Sequence, residues 1–147
     1  MLSIFRLSAL LQRIGIPFFP RLLYIINRCL FSVVLPPSVK LGRGVTFAYQ
    51  GLATVVHARA VIGSNCYLGP NVIIGGRSGE HAVPTIGDNV FIGAGARILG
   101  PVTVGNGATI GAASLVLNDV PSGVTVVGVP ARVLSNARQE AHALGTL

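Results

Sequence analysis

A six-residue period extends from Val56 to Val120 and constrains the fold more than any other feature of the sequence. Its first position is aliphatic, its second is most often glycine, and its fifth is small or β-branched. The aliphatic residues are Val56, Ile62, Leu68, Ile74, Ile86, Ile92, Ile98, Val104, Ile110 and Val116. A single hexad cannot bury its apolar side chains, whereas stacked hexads bury one continuous core. The period therefore predicts an all-β fold, a parallel β-helix of hexapeptide repeats.

The composition fits a single repeat-containing domain. The chain has 147 residues and 19 glycines, and the glycines recur within the period, so this is not a disordered low-complexity sequence. The net charge of +7 reflects a shortage of acidic residues, which number only 4. Such a charge favours anionic ligands in general without selecting one. We expect no nucleic-acid partner, because the repeats lack an evident aromatic stacking surface.

The two cysteines form neither a disulfide framework nor a CxxC motif, which fits a reducing, cytoplasmic compartment. Cys66 occupies the small fifth position of a hexad, so we predict a buried free thiol there. Cys29 lies outside the period. We expect no metal site.

Residues 1–35 do not follow the period. They predict two short helices, approximately Leu2–Ile14 and Arg21–Val33, because glycine and proline between them end or kink a helix. Each helix carries two arginines seven residues apart, which places both on one face. Arginine interrupts every apolar run before the ~18 residues that a spanning helix needs. We also expect no cleaved signal peptide, since no small-residue site follows a clean apolar stretch.

Two interpretations of residues 1–35 stay open. The preferred one is a helical cap that covers the end of the β-helix or packs against a sister subunit. The other is an interfacial anchor at the inner face of the membrane, with its arginines at the level of anionic headgroups. The two are compatible. Residues 36–134 are expected to form the β-helix domain and residues 135–147 a C-terminal tail.

The period fails at two places. From Phe47 to Val55 its phase slips by three residues, which predicts a bulge or small loop. From Gly75 to Thr85 the pattern is lost, and it resumes in phase at Ile86. About one hexad should therefore bulge outward as a glycine-rich loop. Functional residues are often placed in such departures.

The stretch Ile86–Val133, IGDNVFIGAGARILGPVTVGNGATIGAASLVLNDVPSGVTVVGVPARV, resembles the hexapeptide-repeat acyltransferases. The resemblance covers roughly residues 36–134 and points to the serine acetyltransferase branch and its relatives in bacterial polysaccharide gene clusters. It implies a left-handed β-helix with three hexads per coil, a homotrimer, and acetyl-CoA as co-substrate in the groove between neighbouring prisms. With only ~35 residues before the repeats, the chain is closer to the short polysaccharide-cluster members.

The resemblance assigns the co-substrate to the Gly-Ala pairs of the coils. A residue without a bulky side chain leaves its N–H and C=O accessible to the pantetheine amides, and arginines suit the phosphates of CoA. The residues expected to bind acetyl-CoA are Gly75, Gly76, Arg77, Gly93, Ala94, Gly95, Ala96, Arg97, Gly111, Ala112 and Arg132. For most of the glycines a turn at a prism corner is the simpler explanation.

Acetyl transfer to a hydroxyl group needs a base, and histidine suits this role near neutral pH. The family's catalytic Asp-His pair falls on Tyr49-Gln50, and glutamine can orient a hydroxyl but cannot accept its proton. We therefore expect Tyr49 and Gln50 to contact the acceptor. The family's second histidine would fall on Val83.

His57 and His81 remain as candidates for the base. His57 stands at a glycine-type corner, where it could instead bond a neighbouring coil. His81 lies in the loop with Glu80 as a possible orienting, acceptor-binding carboxylate, and could instead be a solvated loop residue. We rank His57 first and expect His142 to be a surface residue.

Together these features imply an acetyl-CoA-dependent O-acetyltransferase. The family's serine-recognising Asp and Arg have no counterpart at the matched positions. The preferred acceptor is therefore a sugar hydroxyl of a cell-surface polysaccharide or its precursor, with serine as the alternative. Gln50 also leaves open a non-catalytic trimeric scaffold, which the Gly-Ala pattern disfavours.

Overall fold

The computed structural model describes residues 1–16 and 18–134, so His142 and the expected C-terminal tail lie outside the described residues. In that part of the chain two helices precede a series of short strands, with a 3-10 turn at Ala48–Gly51. The helices are α1 (Leu2–Arg13) and α2 (Phe19–Phe31). The strands are β1 (Lys40–Leu41), β2 (Thr46–Phe47), β3 (Val55–Val56), β4 (Val61–Ile62), β5 (Tyr67–Leu68), β6 (Ile73–Gly75), β7 (Thr85–Ile86), β8 (Phe91–Ile92), β9 (Arg97–Leu99), β10 (Thr103–Val104), β11 (Thr109–Ile110), β12 (Leu115–Val116), β13 (Thr125–Val127) and β14 (Arg132–Val133).

The strands form three sheets that make the sides of a prism. The first sheet has the order β1-β4-β7-β10, the second β2-β5-β8-β11-β13-β14, and the third β3-β6-β9-β12. Each coil adds one strand to each sheet, and all pairs are parallel except β13 with β14. The predicted parallel β-helix is confirmed.

The core lies inside the prism and follows the sequence period. Every aliphatic residue of the period is at most 1% exposed. The fifth positions are buried as well, including Cys66 and Ser114. Since adjacent side chains of a strand point to opposite faces, each two-residue strand directs one side chain inward and one outward.

The predicted loop leaves the prism between β6 and β7. Thr85 pairs with Thr103, 18 residues later, whereas Val61 pairs with Thr85 after 24 residues. The additional six residues project from the corner, and residues 76–82 are exposed. The expectation of one extruded hexad is confirmed.

The phase slip forms a tight bulge after β2. Thr46 pairs with Tyr67, 21 residues later, so this coil contains three additional residues. Tyr49, Gln50 and Gly51 are consecutive left-handed residues with φ of 49°, 58° and 75°. Left-handed backbone costs roughly 1–2 kcal/mol for a residue that carries a Cβ. The bulge therefore holds two side chains in a strained conformation.

Helix α1 begins at the predicted Leu2 and ends one residue earlier than predicted, and α2 begins and ends two residues earlier. The start of α2 precedes the predicted Arg21 because Pro20 lies in its first turn, where a missing N–H costs nothing. It ends before Val33, since Ser32 adopts a left-handed conformation with φ of 51°. No helix of the described residues is long and apolar enough to cross a membrane.

The N-terminal segment caps one end of the prism. Met1 and Phe5 are buried in the same apolar cluster as the β-helix core. The Ser8 hydroxyl donates a 2.9 Å hydrogen bond to the carbonyl oxygen of Pro20, which joins the two helices. Val34 then pairs in parallel with Val55, so the chain enters the third sheet directly after the cap.

The other end is closed by the C-terminal hairpin. The parallel second sheet continues past Val120 through β13, and β14 turns back along it. Arg132 and Val133 form β14. Pairing with β13 decides their conformation, because it covers the last open strand.

The two cysteines differ in burial, which predicts their reactivity. Cys29 is exposed, whereas Cys66 is buried with its sulfur 3.1 Å from the carbonyl oxygen of Gly87. Burial raises the pKa of the Cys66 thiol, so little reactive thiolate exists near neutral pH. We expect a thiol-specific disulfide reagent to titrate one thiol rapidly in the native protein and the second only after denaturation.

The Cys29→Ser variant is the control for this titration. It should show no rapidly reacting thiol when native and one thiol in denaturant. Rapid reaction of the native Cys29→Ser variant would contradict the burial of Cys66.

Candidate functional site

The candidate residues lie on two edges of the prism, on either side of the third sheet. The alanine edge consists of the turns between the second and third sheets, residues 48–51, 69–71, 93–95 and 111–113. The loop edge consists of the turns between the third and first sheets, residues 57–60, 76–84 and 100–101. Both phase breaks of the sequence therefore border one face of the prism.

Stacking of coils explains several glycines of the alanine edge. A Cβ on Gly93 would lie 2.6 Å from the backbone nitrogen of Ala112, and one on Gly69 would lie 2.6 Å from that of Ala94. The coils could not approach this closely with any side chain at those positions. A Cβ on Gly111 would lie 2.6 Å from the side-chain atom Val127 Cγ1. These glycines serve the fold.

The exposed alanines of this edge form a narrow strip of small residues. Ala94 and Ala112 are exposed, and Gly95 has a left-handed φ of 71° with its nearest neighbour atom 3.8 Å from an added Cβ. Ala113, which the sequence analysis missed, is exposed beside them and donates its N–H to the carbonyl oxygen of Ala94 at 2.8 Å. The sequence feature that could have indicated Ala113 is the second alanine after Gly111.

Ala96 does not belong to this strip. It is fully buried and occupies the fifth position of its hexad, so its side chain lies in the core. The period places this side chain inside the prism, so any contact of Ala96 with acetyl-CoA would be made by its backbone.

Gly76 on the loop edge has no packing explanation. An added Cβ would meet only Val83 Cγ1, at an ordinary contact distance of 3.9 Å. Its neighbour Gly75 is tighter, with Leu99 Cδ2 at 3.3 Å. Gly76 is also exposed. Neither stacking nor a left-handed backbone requires glycine at residue 76.

Arg77 and Glu80 pair with each other within the loop. Their side chains form an ion pair at 3.3 Å, and the N–H of Glu80 donates to the carbonyl oxygen of Arg77 at 3.0 Å. Arg77 also lies over Gly100, which has a left-handed φ of 90°. An exposed pair of this kind contributes at most about 1 kcal/mol. The carboxylate of Glu80 contacts Arg77 rather than orienting His81.

His57 forms part of the turn that follows β3. Its Nδ1 accepts a 3.2 Å hydrogen bond from the backbone N–H of Arg59, and its carbonyl oxygen accepts the N–H of Ala60 at 2.9 Å. An imidazole whose Nδ1 accepts a bond carries its proton on Nε2 when neutral. The lone pair of Nδ1 is therefore engaged within the turn.

His81 lies in the exposed part of the loop. Among the described residues its imidazole makes no hydrogen bond, in contrast to that of His57. His57 and His81 share the loop edge, while Tyr49 and Gln50 lie on the alanine edge. Tyr49 is 79% exposed, and the strained bulge directs both residues to the surface. The structure therefore separates Tyr49 and Gln50 from both histidines, whereas Glu80 lies beside His81 on the loop edge.

The other two arginines expected to bind acetyl-CoA, Arg97 and Arg132, flank the alanine edge. Arg97 is exposed on the third sheet, where it pairs with Ile73 and Leu115. Arg132 is exposed on β14. The turn before it is held to the third sheet, since the N–H of Leu115 donates to Gly128 and the N–H of Ala131 donates to Leu115. In residues 1–16 and 18–134 no three His, Cys, Asp or Glu side chains group as metal ligands.

Comparisons with known proteins agree with this architecture. Residues 84–118 match the family profile described as bacterial transferase hexapeptide (six repeats). The serine acetyltransferase of Synechocystis sp. is 38% identical over 145 residues, which cover 97% of this chain and 58% of the relative. The chain thus spans little more than half the length of that relative.

Two solved structures show the same fold. Soybean serine acetyltransferase complexed with serine has a TM-score of 0.82 and 40% identity, covering 89% of this chain and 54% of that one. A serine acetyltransferase in complex with CoA has a TM-score of 0.83 and 34% identity, covering 90% and 55%. Residues 84–118 thus match the hexapeptide-repeat transferase family, and nearly the whole chain is similar to serine acetyltransferases.

Proposed function

We propose that the protein is an acetyl-CoA-dependent O-acetyltransferase. The observation that carries the proposal is Gly76, an exposed glycine that the fold does not require, at the edge of a face whose other edge is a strip of small residues. The similar proteins support it, because they are serine acetyltransferases and one of them was solved with CoA.

The residues present fit acetyl-CoA. The strip formed by Ala94, Ala112 and Ala113 has no bulky side chain that would keep a pantetheine arm from the backbone. Arg97 and Arg132 flank this strip and suit the phosphates of CoA. The bound thioester supplies the activated acetyl group, and the protein's part is to position it and to exclude water.

We place the complete site between two subunits of a homotrimer. Within one chain the third sheet separates the loop edge from the alanine edge. A groove between neighbouring prisms, as the family resemblance implies, would bring the loop edge of one subunit to the alanine edge of the next. His81 would then face the strip that binds acetyl-CoA.

In the proposed reaction His81 takes the proton of the acceptor hydroxyl while the oxygen attacks the thioester carbonyl. The new C–O bond forms in this attack, the C–S bond then breaks, and the departing CoA thiolate takes up the proton that His81 had accepted. The hydrogen bond between Arg59 and His57 favours His81 over His57, which reverses the order expected from the sequence. Gln50 orients the acceptor without exchanging its proton.

We propose serine as the first acceptor to test, because the similar proteins are serine acetyltransferases. The sugar acceptor expected from the sequence gains no support from them. It remains the second candidate, since the family's serine-recognising Asp and Arg lack counterparts at the matched positions.

The activity prediction is acceptor-dependent release of CoA thiol from acetyl-CoA. Purified protein is assayed against serine, monosaccharides and lipid-linked sugars, with the Cys29→Ser variant to remove the protein's own exposed thiol. We expect turnover with serine. Turnover with a sugar but not with serine would identify the sugar as the acceptor. Absence of both turnover and calorimetric acetyl-CoA binding would favour a non-catalytic scaffold.

The base is identified by alanine substitution of each histidine. We expect His81→Ala to lower kcat by about a hundredfold or more, the usual size of a general-base contribution. His57→Ala should keep its activity and lose about 1 kcal/mol of unfolding free energy, because the N–H of Arg59 loses its acceptor. Full activity of His81→Ala, together with a His57→Ala protein that is inactive but normally stable, would identify His57 as the base instead.

Two glycine substitutions distinguish a role in stability from a role in acetyl-CoA binding. Gly93→Ala should lower the free energy of unfolding by about 1–3 kcal/mol, because the added Cβ meets the backbone of Ala112. Gly76→Ala should keep its stability and weaken acetyl-CoA binding by roughly tenfold, about 1.4 kcal/mol. Denaturant unfolding and calorimetry measure the two effects. Unchanged binding by Gly76→Ala would remove this residue from the site.

A further inference from the structure

The outer faces of the N-terminal helices are apolar and uncovered. In α2 the exposed stripe consists of Leu22, Ile25, Ile26 and Leu30, which recur at the spacing of one helix face. Along α1 and its C-cap residue it consists of Leu7, Leu10 and Ile14. Phe18 and Phe19, between these stripes in sequence, are exposed as well. We call these nine side chains the N-terminal apolar face.

Arginines accompany both stripes. Arg21 and Arg28 follow one another by seven residues on α2, as Arg6 and Arg13 do on α1, and all four are exposed. Helical spacing places each pair beside the apolar stripe of its helix. Long arginine side chains can keep their charge at a polar boundary while their stems lie along an apolar surface.

The acidic residues of the chain do not complement this charge. Residues 1–79 contain no acidic residue. Among the described acids, Glu80 pairs with Arg77, Asp88 accepts the N–H of Ser64 at 2.6 Å, and Asp119 accepts the N–H of Thr103 at 2.7 Å. A second copy docked on this face would therefore bring arginines together without carboxylates to pair them.

We propose that the N-terminal apolar face binds the surface of an anionic lipid bilayer. Apolar side chains enter the boundary between headgroups and acyl chains, and the four arginines contact lipid phosphates. The opposite side of the hairpin stays buried through Met1 and Phe5 in the β-helix core. The β-helix is thereby held at the membrane without a spanning helix.

Vesicle partitioning of the full chain tests the proposal. We expect strong co-sedimentation with phosphatidylcholine–phosphatidylglycerol vesicles, weak co-sedimentation with pure phosphatidylcholine, and a loss of binding as salt is raised. The Arg21→Ala/Arg28→Ala variant should partition roughly 25-fold less, about fivefold per arginine. The matched control is Arg43→Ala/Arg59→Ala, which removes two exposed arginines of the β-helix and should bind as the wild type does.

The apolar contribution is tested with Phe18→Ser/Leu30→Ser, which changes two of the most exposed side chains of the face. Partitioning should fall by about tenfold or more, because the buried area is lost, while circular dichroism and thermal unfolding stay unchanged. In an independent measurement, a polarity-sensitive dye on Cys29, in the exposed stripe of α2, should shift to the blue with anionic vesicles.

Three results would overturn the proposal. The first is equal partitioning on neutral and anionic vesicles, and the second is equal loss in the two arginine variants. The third is absence of vesicle binding together with a lower oligomeric mass for Phe18→Ser/Leu30→Ser, which would assign the face to contacts between copies. None of these outcomes depends on the acetyltransferase activity, so the two proposals fail separately.

Discussion

The structure depends on hydrogen bonds between each coil and the next. The strands are too short to be stable alone, and the corner N–H groups donate to the following coil, as Gly63 does to Ile86 at 2.9 Å and Gly87 to Val104 at 2.8 Å. A coil at either end lacks one partner, which leaves edges open to association. The N-terminal cap, through Val34, and the β14 hairpin supply the missing covers.

The same ladder decides where the chain can vary. An insertion within a strand would shift every later residue out of register, so extra residues are accommodated only at the corners. Both departures from the period, the bulge at Ala48–Gly51 and the loop at residues 76–84, leave the prism at edges of the third sheet. The outward face between them can therefore carry chemistry while the core keeps its period.

The sequence predicted the core because each position of a repeat has one environment. It could not show which glycines pack against a neighbouring coil, which fills the space of a Cβ at Gly93 and leaves it open at Gly76. Nor could it predict that Nδ1 of His57 accepts the N–H of Arg59, since this contact depends on turn geometry. The repeat therefore predicts the fold, whereas the properties of the site residues depend on contacts that form only in the folded structure.

The N-terminal cap links the exposed apolar face to the strained bulge. A Cβ on Gly51 would lie 3.1 Å from Met1 Cε and 3.2 Å from Val33 Cγ2, so the cap packs directly against the residue that ends the left-handed run. The strain at Tyr49 and Gln50 persists only because surrounding contacts hold it. Helices that cover the core on one side and meet a bilayer on the other would therefore support the bulge through their inner face. The residues proposed to orient the acceptor thus depend on the cap for their conformation.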